Sequence, residues 1–241
     1  MPRKSKKKKE EEEKVEVVEE VVEEQVEEEV SQEELDDLSN QIEALFMAAP
    51  EEKKEELRII GLIGEVSEER TTEVISSMLQ LKQSGSKKEL EDPEKEDSPL
   101  VTVYDPFELW ISTYGGSAMD MFAIYDVMRM MREECDITTF GLGKVMSAGV
   151  LLLAAGTKGK RKIGANCRVM LHSVIGGSQG PIHSLENEMD EIRWIQDQHV
   201  KCLVEETNMS SKHLKKLLAR KVNVYLTAEE AVELGIADEV V

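Results

Sequence analysis

Three features of this chain combine residue types and spacing that could do chemistry: a serine between two runs of different character, a histidine closing a third run, and two adjacent glycines. Ser147 lies in Gly141-Leu-Gly-Lys-Val-Met-Ser-Ala-Gly149, after the β-branched run Ile137-Thr-Thr-Phe140 and before the apolar run from Val150 to Ala155. That pattern predicts a strand, a tight turn and a buried helix, with the hydroxyl at the junction, where free N–H groups and the positive end of the helix favour nearby negative charge. Such a serine suits attack on a carbonyl. It also suits helix capping, the commoner use of serine at that position.

A serine hydroxyl is a weak nucleophile near neutral pH and needs a base within hydrogen-bonding reach, itself oriented by a third group. His172 closes Arg168-Val-Met-Leu-His172, where side chains leave the edge of a sheet. Alone, it reads as a hydrogen-bonded core histidine. His183, His199 and His213 fall on predicted helices or their starts among charged residues and read as solvated. An oxyanion hole needs two N–H groups converging on one point; Ala148, directly after the serine, and Gly116, in the Gly115-Gly116 turn, are the candidates. Serine, histidine and diglycine together describe one chemistry, acyl transfer.

The elements that must position these residues alternate. Leu57 to Ile63 reads as a buried strand ended by Gly64, Glu68 to Leu81 as a helix lying on a sheet, and Leu109 to Ser112 as a short strand running into the diglycine turn. Ser117 with Asp120 approximates a capping box for a helix bearing Met121, Tyr125, Met128 and Met131, a stripe fit for core. Gly156 to Lys162 reads as a basic surface turn, Ile182 to Glu206 as a long helix, Thr227 to Glu230 as a second capping box and Ile236 to Val241 as a last strand. Gln83 to Pro106, with Ser-Gly-Ser, acidic residues, Pro93 and Pro99, reads as an exposed loop inserted at about 83–106. Alternation of this kind predicts right-handed βαβ crossovers.

Composition narrows the partners. The chain has 241 residues, a formal net charge of -20 and a pI near 4.7, which argues against nucleic acid or an anionic membrane as the principal partner. No apolar run approaches the ~20 residues of a membrane span. Cys135, Cys167 and Cys202 are odd in number and widely spaced, so neither a disulfide framework nor a zinc site is expected, and a reducing, cytoplasmic setting fits. No secretory signal is expected after the basic start. Residues 1–56 read as a charged, largely disordered tail with a helix expected near 32–47, followed by one folded domain over 57–241.

The order Gly115-Gly116, Gly143-Lys-Val-Met-Ser147-Ala-Gly149, Gly156-Thr-Lys-Gly-Lys-Arg161, Arg168-Val-Met-Leu-His172, Tyr225-Leu-Thr-Ala-Glu-Glu-Ala231 and Gly235-Ile-Ala-Asp238 resembles the proteolytic subunit of the Clp protease, from about Arg58 to Val241. The resemblance implies an α/β fold, a ClpP/crotonase-like spiral of βα units with a protruding handle helix, here the helix from Ile182. It implies a serine endopeptidase with Ser147 as nucleophile, His172 as base, Gly116 and Ala148 as oxyanion donors, and the Gly176, Gly177, Ser178 stretch holding substrate polypeptide extended. It implies no cofactor and no metal, a homo-oligomer of two stacked heptameric rings, and a Clp-type unfoldase ATPase or a paralogous ring subunit as partner.

Three positions depart from that pattern. Asn223 stands where the family usually has the aspartate that orients the base, so a slow or conditionally active enzyme is expected. Thr113-Tyr114 replaces the usual Asn-Ser-Pro stretch before the glycines, and the axial-pore segment of the family is not found near the N-terminus. Two other readings follow: a catalytically weak ring subunit working with an active paralogue, and a crotonase-like acyl-CoA enzyme that would leave Ser147 and His172 without a purpose.

Overall fold

In the computed structural model, which describes residues 57–95, 97–219 and 223–241, the core is a mostly parallel sheet built by strands that are buried on alternate residues. The expected tail and the helix near 32–47 lie outside the described residues. β1 (Ile59–Val66) buries Ile60, Leu62 and Val66 and pairs in parallel with β4 (Phe107–Gly116), which buries Phe107, Leu109 and Ile111. β4 pairs in parallel with β5 (Ile137–Met146), and β6 (Arg161–Ile163) and β9 (Glu239–Val240) extend the sheet beyond it. Each large apolar side chain taken fully out of water in these layers is worth ~1.5–3 kcal/mol.

Helices cover the sheet. α1 (Glu68–Ser84) and α2 (Ala118–Met131) pack beside each other, and α2 buries the predicted Met121, Tyr125, Met128 and Met131. Behind β5 runs α3 (Ala148–Ala154), every residue of which is buried. Such a helix, apolar all round, forms only inside a core.

β5 forks the sheet. Its first half, Thr139 to Gly141, pairs with β6, and its last half, Lys144 to Met146, pairs with β7 (Arg168–Leu171), with Gly143 at φ 61° between them. β7 is also paired antiparallel to β8 (Val224–Leu226). The fork leaves the ends of β4, β5 and β7 together at one rim.

The long helix α4 (Ile182–Glu206) is anchored at its C-terminal end, where His199, Val200, Leu203 and Glu206 are buried against α3 and α5 (Ser211–Leu218). Residues 182–191 are exposed throughout, with Ile182, Leu185, Met189 and, further on, Trp194 facing solvent. This is the protruding handle. α6 (Ala228–Glu233) opens on the predicted capping box, both halves of which are formed between Thr227 and Glu230.

Several expectations change in detail. The segment near 83–106 is a hairpin: β2 (Ser86–Leu90) pairs antiparallel with β3 (Leu100–Tyr104), so a stretch whose polar composition suggested no regular structure forms an exposed two-stranded ribbon. Gly64 does not end β1; it takes φ 102° within it, where the register shifts between Ile63 and Glu65. The basic stretch Gly156 to Lys162 is not all surface. Arg161 begins β6 and is 4% exposed.

Arg161 can be buried because its donors are matched. Its Nε and Nη2 bond Asp238, and its Nη1 donates to the carbonyls of Glu206 and Gly235, each at 2.8 Å. Glu206, 1% exposed, accepts from Tyr125 Oη at 2.9 Å and from both Arg132 Nη groups at 2.7 and 2.9 Å. Burial by itself would raise the carboxyls of Asp238 and Glu206, but these bonds hold both below the usual range.

Candidate active site

Ser147 is placed by strain. β5 runs through the glycine-rich stretch expected to turn and reaches Met146, so the whole reversal into α3 falls on Ser147, at φ 53° and ψ -120°. It is the one non-glycine residue at positive φ among the described residues. A side chain there costs ~1–3 kcal/mol, which the paired β5 and the buried α3 on either side must hold in place. In exchange the side chain is thrown out at the tip of a strand-to-helix elbow.

The capping alternative is settled by comparison within the chain. Ser67, Ser117, Ser210 and Thr227 each precede a helix, and each side chain accepts an N–H of the first turn. Ser147 makes no such bond. Its hydroxyl makes no hydrogen bond among the described residues.

The diglycine turn closes on that hydroxyl. Gly115 takes φ 106°, and a Cβ there would stand 2.6 Å from Ser147 Cβ and 3.0 Å from its Oγ, so only glycine allows the approach. At Gly116 a Cβ would meet the Val66 carbonyl oxygen at 2.1 Å. Thr113, buried and unremarked in the sequence except as a replacement, sets the turn: its Oγ1 accepts the Gly115 N–H at 2.9 Å. A hydroxyl two residues before the glycine it holds is a local side-chain turn, readable once the strand is known to end there.

A cavity of about 330 Å³ opens at this rim, lined by Ser147 and Ala148, by Gly116 and Ser117 of the turn, and by His172. The Ala148 amide, at the first position of α3, has no intrahelical acceptor by its place in the helix. Four of the expected site residues, Ser147, His172, Gly116 and Ala148, thus share one cavity. Lys144 is not among its lining; its Nζ sits 4.7 Å over the Tyr114 ring.

Asn223 and the glycine loop stand apart from the lining. Asn223 is exposed and makes no side-chain hydrogen bond among the described residues, although the β7–β8 register, Met170 with Tyr225 and Leu171 with Val224, leads at its next step to His172 and Asn223. Gly176, Gly177 and Ser178 are exposed and belong to no strand. Gly176 lies close on α4, where a Cβ would come 2.6 Å from Ile192 Cδ1. Val174, just before, donates its N–H to Gln196 Oε1 of α4 at 2.7 Å, which ties this segment to the handle.

One expectation is overturned outright. His183 and His213 are exposed as read, but His199 is only 5% exposed and lines the same cavity as Ser147. Charged neighbours in sequence, Asp197 and Lys201, point elsewhere around the helix, while the apolar spacing Ile192, Ile195, His199, Val200, Leu203 runs along its buried side. That spacing was the available signal. Burial first, and the nearby His172 second, push the His199 imidazole down to about 4, so it is neutral at neutral pH.

The site is thus a serine on a strained strand-to-helix elbow that shares a cavity with a histidine at the rim of a forked, mostly parallel α/β sheet. The comparison with known families agrees: the family model of the Clp protease matches residues 102–241, more than half of the chain. The chain belongs to the Clp protease family. The match begins within β3 and includes both Ser147 and His172.

Proposed function

We propose that this chain is a serine endopeptidase that cleaves extended polypeptide by acyl transfer through Ser147. His172 takes the Oγ proton as Oγ bonds the carbonyl carbon, and the carbonyl electron pair moves to oxygen, received by the Gly116 and Ala148 amides. The C–N bond then breaks and the same proton passes from His172 to the departing amine. Water repeats the sequence on the acyl-serine. Asn223 accepts the Nδ1–H of His172 and fixes its tautomer, without the charge that would stabilise the imidazolium. The exposed backbone of Gly176, Gly177 and Ser178 pairs with the substrate as an added strand.

The observation that carries this reading is the strained, uncapped Ser147 facing the same cavity as His172. The exposed apolar residues of the handle, Ile182, Leu185, Met189 and Trp194, suit burial between subunits, and two stacked heptameric rings with the sites inside are the assembly we propose. A fluorophosphonate probe, followed by peptide mapping, tests the chemistry. A Ser147 adduct absent from Ser147→Ala is the expected result, and unlabelled Ser147 in intact oligomer contradicts it.

A second reading is favoured by Asn223, exposed and without a side-chain hydrogen bond among the described residues: a ring subunit too slow to matter alone, which acts with an active paralogue. Such a subunit forms rings and hydrolyses no peptide even as Asn223→Asp.

A further inference from the structure

Beyond Ser147 the cavity has both apolar and polar lining. Ala118 and Met121 of α2 form one wall, Val174 and Ile175 another, and α4 contributes His199. Gln196, one turn earlier on α4, holds Val174 in place through its amide oxygen. Of the polar lining side chains, Tyr114, Ser117, Ser147 and His172 are exposed or half-buried, while His199 is buried. Its Nε2 is buried and has no hydrogen-bond partner among the described residues.

A buried polar atom without a partner is costly unless something satisfies it, and in native proteins such atoms call for an explanation. The groups around His199 supply none. α3 presents only apolar side chains, α5 turns Leu214, Leu217 and Leu218 inward, and His172 is the one titratable group that influences it, without a hydrogen bond between them. The imidazole is neutral, so it offers one donor and one acceptor and attracts no ion of either sign strongly.

The side chain next to the carbonyl that Ser147 attacks must enter the space adjoining Ser147. This cavity is that space. Resting on the peptidase reading above, we propose that His199 is a specificity-determining residue that selects a neutral carboxamide, glutamine or asparagine, at the residue on the acyl side of the cleaved bond (P1). A carboxamide carries both a donor and an acceptor, so one end of it can pair with Nε2 in either tautomer of the imidazole, and its methylene stem packs on Met121 and Val174. Binding of this kind discriminates asymmetrically: an apolar side chain of equal size fills the volume but leaves the imidazole unpaired and dry.

The test uses the full chain and peptidyl diphenyl phosphonates identical except at P1, paired by shape as glutamine with methionine and asparagine with leucine. Ser147 Oγ displaces phenoxide from phosphorus, its proton passing to His172, so the inactivation rate reads P1 preference even where turnover is slow. Wild-type enzyme should react ~10–100-fold faster with each carboxamide than with its apolar partner. His199→Met should invert the glutamine-to-methionine ratio, and His199→Gln, which again presents a donor and an acceptor, should restore it. A residue that merely supports the fold would alter all four rates together and leave the ratios alone.

Equal or faster reaction of the apolar reagents with wild-type enzyme overturns the inference, whatever the variants do. Should neither these reagents nor a simple fluorophosphonate label Ser147, the peptidase reading itself falls. Labelling by the fluorophosphonate without P1 discrimination removes only the role of His199.

Discussion

Two polar clusters lie at opposite ends of α3, and they treat hydrogen bonds in opposite ways. In the first, Arg161, Asp238, Glu206, Arg132 and Tyr125 are bonded to one another or to backbone carbonyls, and the two carboxyls are held ionised. In the second, Ser147 has no cap bond, His172 and Asn223 have no side-chain hydrogen bond among the described residues, and the buried Nε2 of His199 has no partner. The first cluster joins β6, α4, α2 and the chain's C-terminal turn. The second joins nothing; it keeps its donors and acceptors for something that arrives. Satisfied polar groups report on the fold, and unsatisfied ones with a cavity in front of them report on function.

The comparison breaks most sharply at Gly115. Gly115→Ala places a methyl against Ser147 and forces a left-handed backbone on a residue with a Cβ, so peptidase activity should fall at least ~10³-fold while far-UV dichroism is kept. Arg161→Met probes the other cluster. It takes the charged partner from Asp238, which keeps only backbone N–H donors, and removes the guanidinium donor from the Gly235 and Glu206 carbonyls, and unfolding in urea should show a loss of about 3–5 kcal/mol, with serine labelling unchanged in the fraction still folded.

Acid sharpens the contrast, because both clusters contribute with the same sign. His199 is depressed from 6.5 to about 4, so between those values the unfolded chain binds a proton that the folded chain refuses, and stability should fall by about 3 kcal/mol as pH drops through that window. Asp238 and Glu206 are lower folded than unfolded, so their contribution is present above the unfolded carboxyl values and is lost further down, as pH falls through the folded ones. In His199→Met the upper part of this loss, above about pH 5, should vanish while the lower part stays; thermal melts from about pH 2 to 7 read both parts. The smallest effect is expected at Asn223. A carboxylate there would stabilise the imidazolium of His172, and Asn223→Asp should raise kcat by about 10–100-fold, less than the ~10⁴ span between aspartate and asparagine in chymotrypsin-type enzymes, since papain-type enzymes work with asparagine. An unchanged rate would mean that Asn223 does not reach His172.

Much of this was legible from residue order. The buried apolar run after Ser147, the methionine stripe of α2, the long handle and the Thr227–Glu230 capping box all follow from local periodicity, and each forms where the pattern predicts. What escaped depends on distance. Arg161 sits in a run of lysines and reads as surface until Asp238, far along the chain, arrives to pair it. His199 reads as solvated beside Asp197 because charge in sequence says nothing of which side of α4 meets α3. The extent of β5 escaped for a related reason: glycines suggest a turn, yet pairing with β6 before Gly143 and with β7 after it carries the strand on to Met146 and leaves the reversal into α3 to one serine.

That serine carries the account. Incubating the assembled protein with a fluorophosphonate and locating the adduct by mass spectrometry tests it most directly. One phosphonyl group on Ser147, none elsewhere, and none in Ser147→Ala or after denaturation is the predicted outcome. A folded oligomer in which Ser147 stays unmodified while the reagent labels a control serine hydrolase would contradict it.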